Sequence, residues 1–146
     1  MNKKGFTLIE LLATIAILAI ISIIAVPNVI KIMDSNKKEK VLNDGITLIS
    51  MAKQEISSNR DLRDMLDSAD ITRTLDELDE NNNVTTDSDG ISYNRSLSYV
   101  NISKTNGVIT YCVYLESDNW ILSSSGNCVL EDNLWGDDAK QYVNEA

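Results

Sequence analysis

The sequence predicts an α+β chain: a long N-terminal helix, transmembrane in its first half and amphipathic in its second, packed on a small antiparallel β-sheet. Three observations carry this expectation. From Phe6 to Val26 only Thr7, Glu10, Thr14 and Ser22 interrupt a run of Leu, Ile, Ala, Val and Phe. Val41, Gly45, Leu48, Ile49, Ala52 and Ile56 then recur at helical spacing, an amphipathic stripe. Beyond Ile91 the period becomes strand-like, with runs rich in Val, Ile, Tyr, Thr and Trp. A striped helix and a half-apolar sheet each need a partner surface, and each supplies the other's.

The first run, taken as a helix from Phe6 to Val26, spans roughly 31 Å, about one hydrocarbon core. Lys3 and Lys4 are expected to hold its N-terminal end in the cytoplasm. The run is too long for the apolar region of a cleavable secretory signal, and no A-x-A triplet follows it. Glu10 is the other departure. A carboxylate costs on the order of 3 kcal/mol at mid-membrane and usually marks function. It needs a partner, and the segment offers no Lys or Arg.

Gly5-Phe6-Thr7-Leu8-Ile9-Glu10, following two lysines and leading into the apolar run, resembles the prepilin motif of the type IV pilin family. Pro27 also lies where many pilins carry a proline. The resemblance implies a bacterial subunit whose leader is cut between Gly5 and Phe6 by a prepilin peptidase, with Phe6 then N-methylated. It implies that Glu10 pairs with the N-terminal amine of a neighbouring subunit, so that its missing partner comes from another chain. It also implies a pilin fold. The motif covers about the first thirty residues, and the rest is read on its own.

The 146 residues make one domain plus an anchor. The expected division is a leader at 1–5, a transmembrane and filament-core helix at 6–27, and the amphipathic half of that helix at 28–57. A connecting region with short helices and a first strand follows at 58–107, and a C-terminal sheet and disulfide region at 108–146. Formal net charge is −9, and losing Lys3 and Lys4 with the leader takes it to −11. Nucleic-acid binding needs clustered Lys and Arg, so no nucleic-acid partner is expected for the folded domain. Cys112 and Cys128 lie beyond the anchor and hence outside the cytoplasm, where a disulfide is the expected state.

One helix is expected from about Phe6 to Ser57, bent or loosened at Pro27, which cannot bond the carbonyl of Ile23. Gly45 in mid-helix costs about 1 kcal/mol against Ala, and its place on the stripe implies close packing by another element. Lys31, Lys37, Lys38 and Lys40 form a basic collar, and acids prevail from Glu55 to Asp89. These are two solvated surfaces or a collar on one subunit meeting a belt on the next. Ser58 and Asp61 have capping-box-like spacing before a short helix, and a second short helix is expected at about Thr72 to Glu80. Asp87-Ser88-Asp89-Gly90 reads as an Asx turn, since two alternating carboxylates fall short of a calcium loop.

Strands are expected at Leu97–Ile102, Val108–Glu116 and Asn119–Ser123, with Asn106-Gly107 a strong hairpin signal. If the third strand pairs with the Cys112 strand, a further meander strand would put Cys128 about 9.6 Å away, too far for a bridge. The Cys128 segment is therefore expected to double back over a face or end of the sheet. Trp135 is a candidate to pin the tail, whose remainder reads as a short helix or frayed.

No His, nucleophile motif or phosphate-binding glycine loop is present, so no enzyme, catalytic residue, metal or cofactor is expected. The function implied is that of a structural subunit, and Glu10 favours a major pilin. Its partners would be further copies of itself, the prepilin peptidase and the assembly machinery of the cytoplasmic membrane. It would rest in that membrane and then join a surface filament serving adhesion, aggregation or twitching motility. The alternative is a minor pilin, or a pseudopilin of a type II secretion or DNA-uptake system. No aromatic residue lies between Phe6 and Tyr93, so the helices offer no aromatic stack for conduction, and the work expected is mechanical.

Overall fold

The computed structural model describes residues 5–146. Lys3 and Lys4, with their expected topological role, lie outside these residues. The chain divides into two compact units, one ending at Ser35 and one spanning Asn36–Ala146. A single helix, α1 (Leu8–Ser58, 51 residues), contributes to both.

In the first unit every described residue through Asp34 is exposed. The helix there is held by its own backbone bonds, as any segment that crosses lipid must be. It is long and apolar enough to cross a membrane, with a mean hydropathy of 2.7 over eighteen residues. Pro27 is accommodated inside it, and the Asn28 side-chain amide donates to the Ile24 carbonyl (3.2 Å).

In the second unit α1 buries the expected stripe, Val41, Gly45, Leu48, Ile49, Ala52 and Ile56, with Leu42 beside it. The sheet supplies the other half of the core through Val100, Ile102, Val113, Leu115, Leu122, Val129 and Val143, all fully buried. At Gly45 the helix backbone comes close to the sheet's side chains. A Cβ there would come within 2.5 Å of Leu122 Cδ2, so the glycine's helix penalty is traded for contact with the sheet.

Helix α2 (Arg60–Met65) follows, capped by Asn59 rather than Ser58. Asn59 has extended backbone angles and its Oδ1 accepts from the N–H groups of Asp61 (3.1 Å) and Leu62 (3.4 Å). Ser58 is still inside α1 and donates to the Glu55 carbonyl (3.1 Å). The helix expected from about Thr72 does not begin there: Ile71–Thr74 is strand β1, paired with the segment Tyr99–Ile102. Three of its four residues are β-branched, which favours extended backbone. A shorter helix, α3 (Leu75–Leu78), starts after it, where the Glu77 carboxylate accepts the Thr74 N–H (2.8 Å).

Strands β2 (Tyr99–Thr105) and β3 (Val108–Glu116) form a hairpin through Asn106 and Gly107, whose φ values of 54° and 82° match the turn that their sequence signals. On the face of this hairpin away from α1, Tyr99 and Tyr114 stack at 5.4 Å. The remaining strands are β4 (Trp120–Leu122), β5 (Val129–Leu130) and β6 (Val143–Glu145). All pairing is antiparallel, in the order β1-β2-β3-β4-β6, with β5 also on β3.

The route of β5 differs from the expectation. Leu115 faces Leu122 and Val113 faces Val129, so two steps along β3 correspond to seven on the opposite chain. The Cys128 segment therefore returns to the same edge of β3 that β4 occupies, not to a face or end of the sheet. Strand β4 is short enough to leave that edge open, and residues 123–128 loop out between the two pairings through a turn at Ser125 and Gly126 (φ 52° and 81°). Cys112 and Cys128 are joined by a disulfide with Cα atoms 5.4 Å apart. The tail is also ordered. Two 3₁₀ turns, Glu131–Leu134 and Asp137–Tyr142, lead into β6, which pairs with β4. Leu134, Ala139 and Val143 pin it, whereas Trp135, the expected anchor, is 60% exposed.

Candidate processing and assembly site

Gly5, Phe6 and Thr7 precede α1 in non-helical backbone, and all three are exposed. A Cβ added at Gly5 would meet nothing within 4 Å. No packing within the described chain asks for glycine at that position. Phe6 is 81% exposed.

The start of α1 is built by a capping box that the sequence reading missed. Thr7 and Glu10 stand at N-cap and third position, and the Glu10 carboxylate accepts the Thr7 N–H (2.9 Å) and the Thr7 hydroxyl (2.8 Å). In return the Glu10 N–H approaches the Thr7 oxygen at 3.4 Å. The signal was present as Thr-x-x-Glu before an apolar run. Glu10 thus has a partner in its own chain, although a neutral one. Its charge has no cation among the described residues of this unit within bonding distance.

The collar and the belt meet inside one chain. Lys37 pairs with Asp89 (2.7 Å), while Lys40 pairs with Asp44 (2.7 Å) and donates to the Thr86 carbonyl (2.6 Å). Arg73 bonds Glu55 and Glu77, Arg95 bonds Asp76, and Lys104 bonds Asp67. Much of the charge assigned to a contact between collar and belt is therefore engaged within the subunit.

The Asp87-Ser88-Asp89-Gly90 stretch is an Asx turn that fastens a loop. Asp87 Oδ1 accepts the N–H groups of Asp89 (2.8 Å) and Ile91 (3.0 Å), and its Oδ2 accepts the Ser117 hydroxyl (2.6 Å). Asp89 takes the Trp120 indole N–H (2.6 Å) besides Lys37, and these two donors hold its carboxyl below the usual carboxylate range. Among the described residues no cluster of three or more potential metal ligands occurs. Asp79 is buried, which alone would raise its pKa. The N–H groups of Asn83 and Val84, the Asn83 amide and Arg95 outweigh burial and hold it low. Tyr93 donates to Asp44 (2.8 Å), and burial beside that carboxylate pushes its phenol far up. Thus α1, the loop and β4 are joined by hydrogen bonds through Lys37, Asp89 and Trp120.

Residues 1–26 match the family described as the prokaryotic N-terminal methylation motif. No curated protein and no solved structure matches the chain. The motif implies processing by a prepilin peptidase and assembly into a pilus system, and with the apolar helix it fits membrane insertion of a precursor. A methylation leader and a long apolar-to-amphipathic helix on a small antiparallel sheet are two marks of a type IV pilin-like protein, and this chain carries both.

Proposed function

We propose that this chain is a structural subunit, a major pilin, of a type IV pilus and has no catalytic role. A prepilin peptidase cuts between Gly5 and Phe6, and Phe6 is methylated. The mature chain waits in the cytoplasmic membrane and then polymerises with copies of itself into a surface filament for adhesion, aggregation or twitching motility. In the filament Glu10 exchanges its bond to Thr7 for the charged amine of a neighbour, an attraction strongest where water is excluded. Pro27 supplies the weakest point of the helix, flanked by β-branched residues that are poor helix formers.

The observation supporting this best is the scissile segment itself. Gly5–Phe6 is exposed and non-helical immediately before a capped helix, and Gly5 lies in open space. A glycine with no role inside the chain fits a requirement imposed from outside, by the peptidase's pocket. Intact mass of subunits from sheared surface filaments tests the reading. The expected mass begins at N-methylated Phe6, and this chain forms most of the filament protein. Chains retaining Met1 in filaments would refute the processing step, and a trace share of this chain would reassign it as a minor pilin or pseudopilin.

A further inference from the structure

In this acidic chain the basic side chains of the folded domain are mostly engaged. Lys53 bonds Glu131, Arg73 bonds Glu55, Arg95 bonds Asp76, Lys104 bonds Asp67 and Lys140 bonds Glu39. Arg60 and Arg63 are exposed and make no ion pair among the described residues, although α2 also carries Asp61 and Asp64. The physical reason is local. Arg60 precedes Asp64 by four positions, the poorer orientation for a helical pair, and Asp67, four beyond Arg63, is taken by Lys104. Three residues apart, the two guanidiniums share a helix face.

A complementary surface lies on the C-terminal tail. Asp132, Asp137 and Asp138 are exposed and make no ion pair among the described residues. Between them Trp135 is 60% exposed. It is displayed by a rigid mount: Leu134 and Ala139 are buried on either side, and Gly136 turns the chain at φ 84°. The ring borders a groove of about 270 Å³ lined by Leu42, Ile46 and Leu134 and by Glu39 and Lys140, which pair with each other (3.6 Å). Arginine and tryptophan are the residues that most often carry interface energy, and a guanidinium stacks on an indole face while its N–H groups bond carboxylates.

The two surfaces cannot neutralise each other within a chain. The groove meets α1 at Glu39 to Ile46, while α2 begins after α1 ends at Ser58. Those twelve residues of helix amount to roughly 18 Å. We propose that the Arg60–Arg63 face of one copy docks on the Trp135 rim of the groove, against Asp137 and Asp138, in a second copy displaced along the helix axis. The contact joins unlike surfaces of copies displaced along the helix axis, so repeating it builds an open chain rather than a ring or a closed pair. This rests on the reading of the chain as a self-polymerising subunit, and it names a contact between folded domains.

A charge swap in the full-length chain, expressed in pilus-forming cells, tests the proposal. Arg60→Glu with Arg63→Glu, and separately Asp137→Lys with Asp138→Lys, should each lower sheared-filament yield roughly tenfold or more. Combining all four should restore yield to within about twofold of wild type, since the attraction is reversed but kept. Membrane insertion and an intact Cys112–Cys128 bond, checked in every variant, exclude misfolding. Filaments at wild-type yield from either double variant would overturn the contact and leave the arginines facing solvent or an outside anion. So would failure of the swap to rescue folded, inserted chains. A wild-type chain absent from filaments would instead overturn the polymer reading itself.

Discussion

Leu18 and Leu48 lie on the same helix, yet one is 61% exposed and the other is fully buried. The first sits in a segment where every described residue is exposed, and the second in a stripe that the sheet covers. One continuous helix is therefore built for two environments. Its first half buries nothing within the described chain, and the proposed function gives it lipid and then neighbouring subunits as partners. Its second half is completed by the chain itself. Composition marks the difference: apolar residues all round where the surroundings are apolar, and a stripe where one side faces water.

The largest effect expected from separating the halves is on assembly. Glu10→Ala should reduce filament yield roughly tenfold or more while leaving the melting temperature of the full chain in detergent unchanged. A lowered melting temperature would mean that the halves are coupled. The same residue type then gives a matched pair. Leu48→Ala should cost about 3 kcal/mol of unfolding free energy, the usual range for a buried leucine. Leu18→Ala should stay within about 0.5 kcal/mol in the same denaturant titration. Equal losses would end the distinction.

Gly45→Ala refines it further. Helix propensity alone predicts a gain of about 1 kcal/mol, but the new methyl must displace the Leu122 side chain, and overpacking costs about 1–3 kcal/mol. A net loss of about 1 kcal/mol is expected, and a stabilised variant would show that the sheet yields easily. The smallest effect is acid sensitivity of the folded half. Asp79 and Asp89 titrate lower when folded than when unfolded. Their contribution is therefore complete above the unfolded value near 3.9 and lost as pH falls through the folded values. Melting should be level from about pH 7 to 5 and decline below about 4. Thermal scans of the full chain that show rising stability down to pH 3 would contradict this.

The long helix, its stripe and the central hairpin were legible because each rests on a local period or turn. Gly45 was legible too, since a glycine on a buried stripe has few explanations. The misassigned pieces were those decided by partners distant in sequence. Ile71–Thr74 became a strand because Tyr99–Ile102 offers its edge. Val129 and Leu130 found room on β3 only because β4 stops at Leu122. The tail is held by Leu134, Ala139 and Val143, small or unremarked apolar residues, while the conspicuous Trp135 points outward. At the N-terminus, the charge of Glu10 in an apolar run points to a cation, whereas its partner is the neutral Thr7 three residues earlier. The meeting of collar and belt within one chain was not legible, because Lys37 and Asp89, 52 positions apart, come together only in the folded chain.

The disulfide has a mechanical meaning for any molecule that is pulled. Load entering through α1 and leaving at the C-terminus crosses from Cys112 to Cys128 through the sulfur bond, bypassing the fifteen residues between them. Fully extended, that stretch measures roughly 50 Å at about 3.4 Å per residue. It includes β4, the strand on which β6 rests. The bond therefore removes this slack from the path of tension, and lengthening the oxidised domain requires strands outside the closed loop to part first.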